Sequence, residues 1–260
     1  IGTNITKHLL NNNFKGDIIL FDNNSINNQD SINYFSDYKN VYIVFGDMQI
    51  ENIVDDSLIG VDLVIHLCAN SDISKGVENP KIDFRNTVVT THNLLCGMLK
   101  NNVKDLIFSS GSGIYGDLPY ISITENNGPN LPISHYGASK LCAESMISSF
   151  VFMHDFNALI FRFANVVGEG QTHGVAYDFI MKLKKVKNSL EIKGNGRQLK
   201  SYIHISDIIN GIEIGFDNFK SGIDHYNIST DDTITVKDIA ISVINKMSLN
   251  NANLIFGETD

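Results

Sequence analysis

Short apolar runs recur along the chain, each separated from the next by polar or helix-length sequence. Residues 17–21, 41–45, 61–67, 104–108 and 157–163 have the near-continuous apolar character of strands buried on both faces. Residues 3–10 have helix-compatible spacing, and 79–101 and 135–153 are of helix length. Strands alternating with helices predict an α/β fold with a doubly wound parallel sheet, whose ligands gather beyond the carboxyl ends of the strands. After about residue 166 the rhythm loosens. Helical patterns at 175–186, 205–217 and 235–247 mix with short strands near 190–193 and 199–204, and Thr235 with Asp238 predicts a capping box. The reading is a domain over 1–165 followed by a smaller C-terminal α/β lobe over 166–260.

Composition narrows the function classes. Twenty Lys plus Arg against 29 Asp plus Glu give a net charge of −9, which disfavours binding to nucleic acid. The basic run 182–187 reads as a solvated helix end, not a phosphate track. No apolar run is long enough to span a bilayer and no leader pattern is visible, so no membrane partner is expected. Cys68, Cys96 and Cys142 lie far apart, without CxxC spacing. They read as buried thiols of a reducing compartment, and the expected location is cytoplasmic. His66, His135, His173 and His204 show no metal spacing, and no metal is expected.

Two local features point to chemistry. Asp22 ends the run 17–21, where a carboxylate can accept both hydroxyls of an adenosine ribose and repel a 2′-phosphate. Gly2 stands 20 residues earlier, where the last glycine of a phosphate-binding loop would lie. Tyr136 and Lys140 are one helical turn apart, so phenol and ammonium share a face. A nearby cation favours the phenolate, and such a tyrosine takes a proton from a hydroxyl while hydride leaves the carbon.

Several ordered motifs accompany these residues: Gly46-Asp47-Met48, His66-Leu67-Cys68-Ala69-Asn70, Asn86, residues 108–116 from Phe108 to Gly116, residues 162–168 and residues 194–207. In this order they resemble the extended short-chain dehydrogenase/reductases, specifically the NAD-dependent nucleotide-sugar epimerases and dehydratases, and most of all the UDP-glucose 4-epimerases among them. The resemblance implies a Rossmann-type NAD domain and a nucleotide-sugar lobe. It implies Tyr136 as acid/base and Lys140 on the nicotinamide ribose. It places Asp22 on the adenosine ribose, Asp47 and Met48 at the adenine edge, Leu67, Cys68 and Ala69 along the pyrophosphate and nicotinamide side, and Asn86 behind that loop. Gly2, Asn23, Ser109 and Phe163 complete the NAD set. Asn165 resembles a sugar-diphosphate contact, Val175 and Phe179 part of a uridine pocket, and Lys200 stands where many relatives place an arginine on the diphosphate.

One position departs from the pattern. Relatives carry a catalytic serine or threonine four residues before Tyr115, and here that residue is Gly111. Ser110 and Ser112 flank it, and either is a candidate for the role. The dehydratases and decarboxylases of this scaffold carry carboxylates at the positions of Ser112 and Gly113. Their absence favours simple epimerisation, and the resemblance implies C4 of a UDP-hexose as its site, through a 4-keto intermediate. The rival readings are another nucleotide-sugar enzyme of the same scaffold (dehydratase, decarboxylase or reductase) and a catalytically silent NAD-binding protein. The resemblance implies a homodimer through two helices of the first domain, and helices 79–101 and 135–153 are the candidates because each carries apolar residues around more than one face. The chain begins at Ile1, and it reads as a fragment without its first strand and most of its glycine loop, with an incomplete second lobe and weak NAD binding expected.

Overall fold

Parallel pairing organises the first half of the chain. The computed structural model describes residues 1–25, 29–70, 72–118 and 122–257. Helix α1 (Gly2–Asn11) leads into β1 (Ile18–Asp22), α2 (Gln29–Phe35), β2 (Val41–Phe45), α3 (Glu51–Ser57) and β3 (Leu63–His66). Then come α4 (Ile73–Glu78), α5 (Lys81–Asp83), a π-helical stretch Phe84–Val89 and α6 (Thr90–Lys100). Strand β4 (Asp105–Gly111) runs into a 3-10 turn Ser112–Tyr115, followed by α7 (His135–His154) and β5 (Asn157–Phe163). Beyond them lie β6 (Asn165–Val167), α8 (Val175–Lys185), β7 (Ser189–Ile192), β8 (Leu199–Lys200) and β9 (Tyr202–His204). The remainder is α9 (Ile205–Asn218), β10 (Ile223–Ile228), β11 (Ile234–Thr235), α10 (Val236–Lys246) and β12 (Asn253–Phe256).

Strands β1 and β2 pair in parallel, from Ile18 opposite Val41 to Asp22 opposite Phe45. A second sheet has the order β10-β5-β4-β3. Within it β3 and β4 are parallel, as are β4 and β5, with Ser110 opposite Arg162 and Gly111 opposite Phe163. One face of β4 and β5, carrying Leu106, Phe108, Ala158 and Ile160, packs on Ala143 and Ile147 of α7 and on Leu94, Leu95 and Met98 of α6. Burying each such side chain contributes about 1.5–3 kcal/mol, which is why these strands read as continuous apolar runs.

Helix α7 starts at Ser134, whose Oγ accepts from the Gly137 N–H at 3.0 Å, and stops at Asp155 in the left-handed conformation (φ 54°). The expected single helix 79–101 is instead α5, the π-helical stretch and α6. The Thr90 hydroxyl donates to the carbonyls of Asn86 and Thr87, so a side chain competes with the backbone ladder where the helix changes pitch.

The chain divides into one unit of residues 1–163 with 209–227 and another of 164–208 with 228–260. The sequence-based division at 165/166 leaves out the return of 209–227. That return brings β10 beside β5, a long-range pairing that no local pattern encodes. In the second unit β6 pairs with β9 and β7 with β12 in parallel, and β8 with β11 antiparallel. Its core joins Phe179 and Leu183 of α8 to Ile239, Ala240 and Ile244 of α10. Thr235 caps α10 as the capping-box pattern predicts: its Oγ1 accepts from the Asp238 N–H at 3.0 Å. Among the described residues no helix is long and apolar enough to cross a membrane.

Candidate active site

Tyr136 and Lys140 occupy the first two turns of α7. The Lys140 ammonium is buried, lies 5.9 Å from the Tyr136 ring centroid and 4.7 Å from that of Phe108, and donates to the Ser109 carbonyl oxygen. No carboxylate pairs with it among the described residues. The end of β4 and the 3-10 turn form a wall against Tyr136. A Cβ at Gly111 would lie 3.4 Å from the Tyr136 hydroxyl oxygen, and one at Gly113 would lie 3.7 Å from Cδ1 of the ring. The turn and helix approach so closely that a Cβ at Gly137 would overlap the Gly113 carbonyl. Ser110 is buried, and its Oγ has no partner. Side chains alternate along a strand, so Ser110 sits on the face opposite the Cβ direction of Gly111. Ser112 is exposed at the start of the turn.

Electrostatics revise one expectation. Desolvation pushes the Tyr136 phenol up to about 12, and the Asp83 carboxylate adds to the rise. Desolvation also brings the Lys140 ammonium down to about 8, against the opposing pull of Cys68 and Glu144. The sequence reading had Lys140 lowering the phenol. In the chain by itself burial outweighs that effect, because a phenolate loses most of its hydration there. The imidazole of His66 is buried, hydrogen-bonded to Thr91 Oγ1 at 3.0 Å, and held neutral by desolvation and by Lys140, with a value of about 3.

Most of the residues expected to bind NAD lie in or just beyond the last residues of β1 to β5, with Gly2 on α1 and Asn86 in the π-helical stretch. Asp22 ends β1 and accepts from the Asn24 N–H at 2.6 Å, and Asn23 Oδ1 accepts from the Ser25 N–H at 3.1 Å. After β2, Asp47 Oδ1 accepts from the Gln49 N–H at 2.9 Å, and the Met48 carbonyl accepts from Asn93 Nδ2 at 3.0 Å. Asn86 accepts from Gln49 Nε2 at 3.4 Å, and its carbonyl lies 3.8 Å from Cys68 Sγ. Leu67 and Ala69 flank Cys68 after β3. Gly2 opens α1, and a Cβ there would lie 3.3 Å from Leu67 Cδ1. Ser109 lies two residues before the end of β4 and Phe163 ends β5, both buried. An exposed carboxylate at Asp22 and a buried ammonium without a carboxylate partner at Lys140 fit the two riboses of a dinucleotide. Among the described residues no group of three His, Cys, Asp or Glu could hold a metal ion.

In the second unit, Asn165 Nδ2 donates to the Ser201 carbonyl at 2.9 Å. Val175, Phe179 and Lys200 line one cavity of about 520 Å³. Lys182, Lys185 and Lys193 line it too, so two lysines of the basic run border a cavity, where the sequence reading had only a solvated helix end.

Other residues escaped the sequence reading. Asp83 is buried; its Oδ1 accepts from Asn70 Nδ2 at 2.9 Å and its Oδ2 has no partner. Glu144, which the sequence leaves as either a surface or a salt-bridge residue, is buried and pairs with Arg162 at 2.7 Å. Two signals were present: an arginine inside an apolar strand, and the spacing 136, 140, 144 along one helix face. The buried-thiol expectation also fails, since Cys96 and Cys142 are exposed and Cys68 is half-buried.

The model of the NAD dependent epimerase/dehydratase family matches residues 1–229. A Methanocaldococcus jannaschii protein provisionally named UDP-glucose 4-epimerase is 32% identical over 213 residues, covering 80% of this chain and 67% of that protein. The UDP-glucose 4-epimerase of Yersinia enterocolitica is 30% identical over 188 residues, covering 65% of this chain and 56% of the relative. The chain thus spans between about half and two thirds of the length of these curated relatives. A crystal structure of UDP-galactose 4-epimerase superposes with a TM-score of 0.87 at 28% identity, covering 98% of this chain and 82% of that one. On the match over residues 1–229, the chain belongs to the NAD dependent epimerase/dehydratase family.

Proposed function

We propose that the protein is an NAD-dependent nucleotide-sugar epimerase that inverts C4 of a UDP-hexose. The observation that carries this reading is the placement of Tyr136 against the end of β4, with the Lys140 ammonium buried behind it. NAD, held by these residues, would supply the hydride acceptor that the oxidation of the sugar carbon needs. Tyr136 takes the proton of the C4 hydroxyl and gives it back to the ketone oxygen. Lys140 holds the nicotinamide ribose and favours the phenolate. Asp22 binds the adenosine ribose and selects NAD over NADP. Asn23, Asp47, Met48, Leu67, Cys68, Ala69, Asn86, Ser109 and Phe163 line the cofactor, with Gly2 at the pyrophosphate. Of the two serines flanking Gly111, Ser112 is the one proposed to hydrogen-bond the sugar hydroxyl, since Ser110 lies on the other face of β4. The cavity of Val175, Phe179 and Lys200 supports a nucleoside diphosphate site in the second unit, with Asn165 as a further contact. Lysine is a point charge, so its grip on the diphosphate is looser than a guanidinium fork.

Epimerisation is favoured over elimination because the turn Ser112–Tyr115 carries no carboxylate. Three free cysteines support a cytoplasmic location. Phe152 and Met153 of α7, each 76% exposed, support a homodimer through α6 and α7.

The test is conversion of UDP-galactose in deuterated water, followed by proton NMR. UDP-glucose without deuterium at C4 is the expected product. Deuterium at C5 or C6 would indicate elimination chemistry, and no turnover of any nucleotide sugar would leave a silent NAD-binding protein.

A further inference from the structure

We propose that Arg162, Glu144, Tyr115 and Asn227 form a buried relay that positions the wall facing Tyr136; this rests on Tyr136 being the acid/base. None of the four is needed to touch substrate. They act by fixing where the 3-10 turn meets α7.

The connections run in one direction. Arg162 Nε donates to Glu144 Oε1 at 3.1 Å and Nη2 to Oε2 at 2.7 Å, a bidentate pair between β5 and α7. Glu144 lies two turns beyond Tyr136, on the helix stripe that also carries Lys140. Arg162 Nη1 donates to the Tyr115 hydroxyl at 2.9 Å, and the guanidinium carbon lies 5.3 Å from that ring centroid. The Tyr115 hydroxyl donates onward to Asn227 Oδ1 at 2.7 Å. Asn227 then secures the segment before α7: its N–H donates to Glu125 Oε1 at 2.7 Å, while Arg162 Nη1 also reaches the Glu125 carbonyl at 3.4 Å. One guanidinium therefore ties the helix bearing Tyr136 to the last residue of the turn that follows Gly111 and contains Gly113, the two glycines that face Tyr136.

Energetics favour geometry over stability as the role of this array. Desolvating an ion pair costs about as much as its attraction returns, and apolar side chains of equal volume do as well or better. A cavity of about 430 Å³ beside the pair is lined by Glu144, Arg162, Ser148 and His225, among others. A guanidinium released by either partner has room to swing, and the turn would lose its fixed distance from Tyr136. Misplacement by about 1 Å can cost about a hundredfold in rate.

The test is Tyr115→Phe, which deletes one oxygen and keeps the ring. The expected results are faster backbone hydrogen exchange at residues 111–116, unchanged exchange at 106–108, and kcat lowered at least about tenfold with KM for the nucleotide sugar unchanged. Asn227→Ala, at a half-exposed site, breaks the same relay from its far end and gives the same pattern should Tyr115→Phe not fold. Wild-type exchange at 111–116 in the folded variant overturns the relay, whatever the substrate proves to be. Faster exchange throughout the first unit also overturns it, because the array would then be only structural. Absence of turnover by the wild type would sink the epimerase reading instead, and the exchange comparison would still decide the relay.

Discussion

Gly111 and Tyr136 are separated by the width of one missing side chain: a Cβ on Gly111 would touch the Tyr136 hydroxyl oxygen at 3.4 Å. The Gly111 backbone is extended, at φ −160° and ψ 160°, a conformation open to any residue. Gly111→Ser therefore introduces a hydroxyl beside Tyr136 without backbone strain. The expected outcome is a kcat at least about tenfold higher on UDP-galactose, with Gly111→Ala giving no gain. Equal rates for both variants would show that the hydroxyl at this position is not used.

Tyr136→Phe removes the proposed acid/base and leaves the ring that packs on Gly113. Turnover is expected to fall by about 10²- to 10⁴-fold. NAD affinity, measured by calorimetry, is expected to stay within about tenfold, since the phenol oxygen contributes no more than an ordinary net hydrogen bond. A variant that keeps half the wild-type rate would remove Tyr136 from the mechanism.

Asp22→Ala tests cofactor choice. A hydrogen bond to a charged group contributes about 1.5–3 kcal/mol, so NAD affinity should fall by about tenfold to a hundredfold. NADP should bind better than to the wild type, because the charge that repels its 2′-phosphate is gone. Calorimetric titration with both dinucleotides checks this; unchanged preference would place the adenosine ribose elsewhere.

His66 gives a pH signature in stability. Its folded value of about 3 lies below the ordinary 6.5. Between these values the unfolded chain binds a proton that the folded chain does not, so stability falls as pH drops below 6.5. From pH 7.5 to pH 5 the wild type should lose about 2 kcal/mol more than His66→Gln, which cannot titrate. Urea unfolding at the two pH values measures the difference. Parallel losses would mean that His66 is not held neutral.

The sequence by itself determined the parallel α/β architecture and most of the first unit's strands. Strands buried on both faces must be apolar throughout, which is why β4 and β5 are visible as runs; β1 and β2 show the same apolar runs although Ile19, Tyr42 and Phe45 are exposed. It also determined the Tyr136–Lys140 pair and the cap at Thr235, since helical spacing and first-turn capping are local rules. Tertiary structure decided everything that joins distant segments. The pairing of β10 with β5 returns 209–227 to the first unit, and the lysines of α8 meet Lys193 and Lys200 around one cavity. Only the fold brings Arg162 onto Glu144, and burial is the largest influence on the protonation of Tyr136, Lys140 and His66. Desolvation depends on what surrounds a group in three dimensions, and a sequence records its neighbours along only one.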